Sequence, residues 1–91
     1  MPRPKKCRYV TIDPYITYFK PAGIPLRKLT DIKLDLDELE ALKLKDLGCL
    51  EQYACACEMR ISRSTFQRLL VSARRKIAEA LIEGKAIRIK K

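Results

Sequence analysis

The sequence predicts a mainly α fold: a three-helix helix-turn-helix domain with a small N-terminal β element and a C-terminal edge strand. Three observations predict it. Apolar residues recur at helical spacing from Phe66 to Leu81 behind Ser62, a good N-cap. The stretch LDELEALKLKDLG, residues 36–48, has acids at its start, lysines near its end and a terminal glycine. Between the two, Gln52-x-x-Cys55-Ala56-x-x-Met59-Arg60-Ile61-Ser62-x-x-x-Phe66-x-x-Leu69 spaces small and apolar residues as two short helices crossing at a tight turn require.

The elements follow in order. Ninety-one residues allow one domain with a single modest core. Residues 1–8 hold two prolines and four basic side chains with no core pattern, and read as a basic flexible arm or an inert solvated tail. Residues 9–91 form the domain. Tyr9-Val10-Thr11-Ile12 is β-branched and aromatic and reads as a short strand, with Ile32-Lys33-Leu34 as its partner. Pro14, Pro21, Gly23 and Pro25 make residues 13–30 an ordered loop, which Tyr15, Tyr18 and Phe19 are expected to pin to the core. The first helix is capped by Asp35 or Asp37, is striped by Leu36, Leu39, Leu42 and Leu47, and ends at Gly48. A second covers about residues 51–59, and a third runs from Ser62 to Gly84. The helix-turn-helix core is about 51–76. Ala86-Ile87-Arg88-Ile89-Lys90 alternates as an edge strand, pairing within the chain or with a partner.

The charge is +9, with two basic ends around an acidic middle: seven Lys/Arg against one acid in residues 1–30, and ten against four in residues 51–91. Such a field concentrates a polyanion, whereas the plain alternative is a charge excess that only keeps the chain in solution. No apolar run reaches the roughly 20 residues of a membrane span, and the N-terminus lacks an apolar signal core. The expected location is the cytoplasm, with no membrane partner.

Four cysteines raise the question of a metal. On a helix Cys55 and Cys57 project roughly 200° apart, so they cannot close on one ion, and the chain has no histidine and no C-x-x-C pair. Cys55 is expected to be a small buried hydrophobe and the others incidental thiols, with no metal and no cofactor. Nothing in the sequence offers a general base, a nucleophile or a phosphate loop, which argues against an enzyme.

In the helix pair, Cys55, Ala56, Met59, Ile61, Phe66 and Leu69 form the wedge between the helices. Ser62 caps the second of them and leaves Arg63, Ser64, Gln67 and Arg68 outward, with Val71 beside them. Arginine can grip guanine and glutamine adenine, each bidentately, so these four are the expected base-reading residues. Gln52, Arg60, Ser62, Arg74, Arg75 and Lys76 are expected to contact phosphates. A three-helix unit for protein binding is the alternative, but such a face would usually offer exposed apolar anchors.

The stretches TYFKPAGIPLR (17–27), LDELEALKLKDL (36–47) and SRSTFQRLL-SARRKIAEALIEGKAIRI (62–89, position 71 aside) resemble a family of small predicted DNA-binding proteins of bacteria and archaea. Their helix-turn-helix is similar to region four of sigma factors, and Ser62-Arg63-x-Thr65-Phe66-Gln67-Arg68 is the most specific part of the match. The resemblance implies DNA binding and transcriptional regulation. The chain departs from the family pattern at Arg60, where a turn glycine is usual, and at Glu51, where a capping serine is usual. Tyr53, Ala54 and Cys57 replace acidic residues, and a Tyr53/Cys57 surface would suit a partner or a homodimer. The expected function is therefore sequence-specific binding of double-stranded DNA by a regulator. The alternative is a non-enzymatic adaptor docking on the transcription machinery, and a binder of structured RNA stands third.

Overall fold

The computed structural model describes residues 8–91, so Cys7 and most of the basic arm lie outside the described residues. The elements are β1 (Tyr18–Phe19), a 3-10 turn at Leu26–Lys28, β2 (Asp31–Asp35), α1 (Leu36–Leu42) continuing into a π-helical turn (Lys43–Leu47), α2 (Gln52–Met59), α3 (Arg63–Glu83) and β3 (Ala86–Lys90). Three helices thus pack with one three-stranded sheet.

The sheet order is β1-β3-β2. β3 pairs antiparallel with β1, Tyr18 opposite Arg88, and parallel with β2, Ile32 opposite Ile87 and Leu34 opposite Ile89. The parallel pairing needs a long crossover, which the three helices supply. This corrects two expectations. β3 is the central strand and not an edge. Residues 9–12 are not a strand, and β2 does not pair with them. Their backbone donors are taken elsewhere: Thr11 N–H and Ile12 N–H bond the buried Glu40 carboxylate at 3.2 and 3.0 Å, and Tyr9 N–H bonds the Met59 carbonyl at 3.0 Å. The N-terminal β element is β1 instead, inside the stretch expected to be loop.

α1 begins where the sequence places it. The Glu38 side chain accepts the Asp35 N–H at 2.9 Å, and Asp37 and Glu38 occupy the first turn, where the helix dipole favours acids. The helix then widens, with Gly48 N–H reaching the Lys43 carbonyl at 2.8 Å. Gly48 is not the left-handed cap the sequence suggests, since its φ is −82° and Cys49 carries the positive φ of 59°. What Gly48 supplies is room: a Cβ there would lie 2.9 Å from the Leu44 carbonyl oxygen.

α3 matches its expected span. Ser62 Oγ accepts the Thr65 N–H at 3.2 Å, and Gly84, with φ 69°, closes the far end as Lys85 N–H returns to the Ala80 carbonyl. One buried cluster joins Ala41, Leu44, Cys55, Ala56, Met59, Phe66 and Leu70, and a second joins Leu34, Ala73 and Ile89. α3 therefore serves both, with its N-terminal half against α1 and α2 and Ala73 against the sheet. Phe66 is fully buried, and truncating such a residue to Ala typically costs about 3–5 kcal/mol.

Several expected core residues lie outside it. Leu47 is 81% exposed and Leu81 76%; in the last turn of α3 it is Ala80, not Leu81, that faces the interior. Tyr15, Tyr18 and Phe19 are exposed as well. They do not pin the loop; strand pairing of β1 and a 3.2 Å bond from Tyr18 OH to Asp31 hold it.

Candidate nucleic-acid interface

α2 and α3 are joined by Arg60, Ile61 and Ser62. Close approach of the helices needs small or well-shaped side chains at the crossing, and Cys55, Ala56, Met59 and Phe66 are buried there, with Ile61 and Leu69 packed partly buried against them. All six of these residues belong to one hydrophobic cluster or pack against it. The turn is a Schellman motif: Ile61 N–H bonds the Ala56 carbonyl and Arg60 N–H the Cys57 carbonyl, both at 3.1 Å. Its left-handed position is Arg60, with φ 58° and ψ 43°. That conformation costs a non-glycine residue about 1–2 kcal/mol. Part of the cost is offset where the Arg60 guanidinium lies 4.2 Å from the Tyr9 ring centroid, a cation–π contact.

At about 100° per residue, Arg63, Ser64, Gln67, Arg68, Val71, Arg74 and Arg75 fall in one arc of roughly 140° on α3. All seven are exposed. The opposite arc is the one that carries Phe66, Leu70, Ala73 and Ala80 into the interior. Arg63, Arg68 and Arg75 form no salt bridge among the described residues, although Arg75 adds to the pull of Lys85 that lowers the Glu79 carboxyl. Gln67 does not stand alone: its side-chain oxygen accepts from the Gln52 amide, so a residue of α2 aims one of α3.

The remaining basic residues divide. Arg74 is exposed but makes a two-pronged contact with Asp46, with Nε 3.1 Å from one oxygen; the hydrogen bond holds the Asp46 carboxyl below its ordinary range and the Arg74 guanidinium above its own. Lys76 is turned away from the arc and pairs with Glu38, 2.6 Å off, with its side chain partly exposed. Sequence reading missed Arg8 and Tyr9. Arg8, grouped with the basic arm in the sequence, bonds Asp37 of α1 at 2.7 Å. No local signal marks either residue, because what places them is a long-range contact with the turn.

Among the cysteines, Cys55 is buried while Cys49 and Cys57 are exposed, and burial pushes the Cys55 thiol up. The described residues contain no group of three His, Cys, Asp or Glu side chains able to hold a metal ion. No helix among them is long and apolar enough to cross a membrane.

A family model described as "Protein of unknown function DUF134" matches residues 1–91. A UPF0251 protein of Caldanaerobacter subterraneus subsp. tengcongensis is 57% identical over 89 residues, covering 98% of this chain and 75% of the relative. One from a Thermoanaerobacter species is 54% identical over 89 residues, 98% of this chain and 79% of that protein. In Desulforudis audaxviator a UPF0251 protein is 58% identical over 89 residues, and this chain, 98% covered, spans 58% of its length. No solved structure matches the chain.

Proposed function

The chain belongs to the DUF134 family, and from that premise and the geometry of α2 and α3 we propose that it binds double-stranded DNA in a sequence-specific manner and acts as a transcriptional regulator. α2 and α3 are the helix-turn-helix of this reading, similar to region four of sigma factors, and the N-terminal half of α3 enters the major groove. One observation carries the reading: the outer arc of α3 gathers three arginines that form no salt bridge among the described residues and a glutamine bonded to Gln52. Such an arc matches the donor and acceptor pattern of base edges. Arg63, Ser64, Gln67 and Arg68 read bases. Arg60, Ser62, Gln52, Arg75 and, after exchanging Asp46, Arg74 contact phosphates. The net charge of +9 supports a polyanion partner.

Selection of bound duplexes from a random pool tests the proposal. A recovered consensus of a few base pairs is the expected outcome; recovery of unrelated sequences, or none, would remove sequence-specific reading. A second reading, an adaptor docking on the transcription machinery, is favoured by a different observation. Leu47, Tyr53, Leu81 and Ile82 are exposed apolar groups of the kind a protein partner covers. Under it, no duplex binding would survive at low salt.

A further inference from the structure

Beside the α2–α3 turn lies a cleft of about 240 Å³ lined by Arg8, Arg60, Ile61, Ser62 and Thr65. Two arginines from distant parts of the chain, Arg8 and Arg60, both line it. Arg8 gives one N–H to Asp37 at 2.7 Å and keeps its other donors. Arg60 rests a face on Tyr9 and pairs with no carboxylate among the described residues, so its edge donors stay free. The segment bearing Arg8 and Tyr9 is fastened on both sides, by Tyr9 N–H to the Met59 carbonyl and by Thr11 and Ile12 N–H to Glu40. Two like charges are thus held at one cleft by a fastened strap and a left-handed turn, with Asp37 as the carboxylate that either of them contacts among the described residues. Bringing like charges together is unfavourable unless an anion joins them.

We propose that this cleft is a phosphate clamp, in which Arg8 and Arg60 together grip one backbone phosphodiester of a DNA duplex. The inference rests on the DNA reading above and deepens it: the N-terminal strap is part of the interface, and Tyr9 positions Arg60. Arginine forks suit phosphate oxygens better than point charges do, and Ser62 and Thr65 complete the lining of the cleft. The clamp also gives the left-handed arginine a use that glycine could not supply.

Fluorescence anisotropy of the full chain with duplex DNA over a salt series tests it, using Arg8→Gln and Arg60→Gln singly and together. Because Arg8→Gln also removes a charged bond to Asp37, it is made with Asp37→Asn as well, and thermal melts establish that each variant folds. If the two arginines share one phosphate, the double variant loses about one unit of salt slope, not two, and its affinity falls by about tenfold. Lys33→Gln, on the exposed side of β2, should leave the slope unchanged. A folded double variant with wild-type slope and affinity would overturn the clamp while leaving the DNA reading intact. Absence of duplex binding by the wild-type chain would instead remove the DNA reading, and the clamp with it. A side-chain NMR titration with inorganic phosphate gives a separate readout: the Arg8 and Arg60 Nε–H signals should move together, and silence at both would overturn the clamp.

Discussion

The Lys76 ammonium lies 2.6 Å from the Glu38 carboxylate, and through this pair α3 is tied to α1 across the centre of the fold. Glu38 is buried and also accepts the Ser72 hydroxyl and the Asp35 N–H. Burial pushes its carboxyl up, but the bonds from Lys76, Ser72 and Asp35 together outweigh burial and hold it below the ordinary range. A carboxyl whose folded pKa is depressed contributes fully above its unfolded value, and that contribution is lost as pH falls through the folded one. Glu38→Gln should therefore destabilise the protein at pH 7 by about 1–3 kcal/mol, less than the breaking of a fully enclosed pair because Lys76 is partly exposed. Urea denaturation at pH 7 and at pH 3 checks this: the gap between the two proteins should narrow in acid. A gap independent of pH would mean the pair contributes nothing.

Reading and anchoring should separate along α3. Arg63→Ala or Gln67→Ala is expected to cost about 1–3 kcal/mol on a preferred site and to relax base preference there. Arg75→Ala should weaken all sequences alike. Gln52→Ala should mimic Gln67→Ala in part, since Gln52 aims the Gln67 amide. Binding measured on a consensus duplex and a scrambled one decides it. Equal losses on both from all four changes would mean that α3 does not lie in the groove as proposed.

How much of this was legible depends on how local the cause is. The limits of α3 follow from a capping serine, a left-handed glycine and spacing, all written within the helix, and the outer arc followed with them. The wedge of Cys55, Ala56, Met59 and Phe66 was legible for the same reason. The position of β3 was not: alternation marks a strand, but its neighbours β1 and β2 are chosen by helices packed far away in sequence. Residues 9–12 misled because β-branched side chains favour a ladder, while Glu40, buried by packing, took their N–H groups first. Arg8 and Tyr9 reach the turn by the same strap, so the sequence left that half of the candidate site unmarked.

Gly48 is expected to resist substitution for want of space and not for backbone freedom. A Cβ at Gly48 would meet the Leu44 and Lys43 carbonyl oxygens at 2.9 and 3.1 Å, both backbone atoms that cannot swing aside. At Gly84 a Cβ meets nothing within 4 Å, and only the φ of 69° resists it. Gly84→Ala should then cost about 1–2 kcal/mol. Gly48→Ala should cost at least as much through overpacking, about 1–3 kcal/mol, and disturb the π-turn. Thermal melts with near-ultraviolet circular dichroism compare them. A neutral Gly48→Ala would show that the turn relaxes freely.

The thiols should react in an order set by burial. Cys49 and Cys57 are exposed, whereas burial raises the pKa of Cys55 and keeps its thiolate scarce. In a Cys7→Ser background, a disulfide reagent at pH 8 should modify two thiols quickly, and the third only as fast as the protein opens. Cys55→Ser should lower stability, since the hydroxyl would sit in the wedge facing only the Leu50 carbonyl, 3.6 Å from the present sulfur. Three equally fast thiols in the native protein would place Cys55 outside the wedge.

The last prediction concerns Arg60→Gly. Relief of the left-handed strain is worth about 1–2 kcal/mol. Against it stand the added freedom of glycine in the unfolded chain, about 0.4–1 kcal/mol, and loss of the Tyr9 contact, about 0.5–1 kcal/mol at an exposed site. The three nearly cancel, so stability should change by less than about 1 kcal/mol in either direction. DNA binding should not be spared, because the guanidinium goes: affinity falls and the salt slope becomes shallower by up to about one unit. Tyr9→Leu separates the two roles, keeping the charge but releasing its orientation; it should weaken binding with little change in slope. Urea titrations and salt-dependent anisotropy on the two variants decide the matter. A strongly destabilised Arg60→Gly would mean that the Tyr9 stack holds the strap to the turn, and an unchanged DNA affinity would mean that Arg60 touches no phosphate.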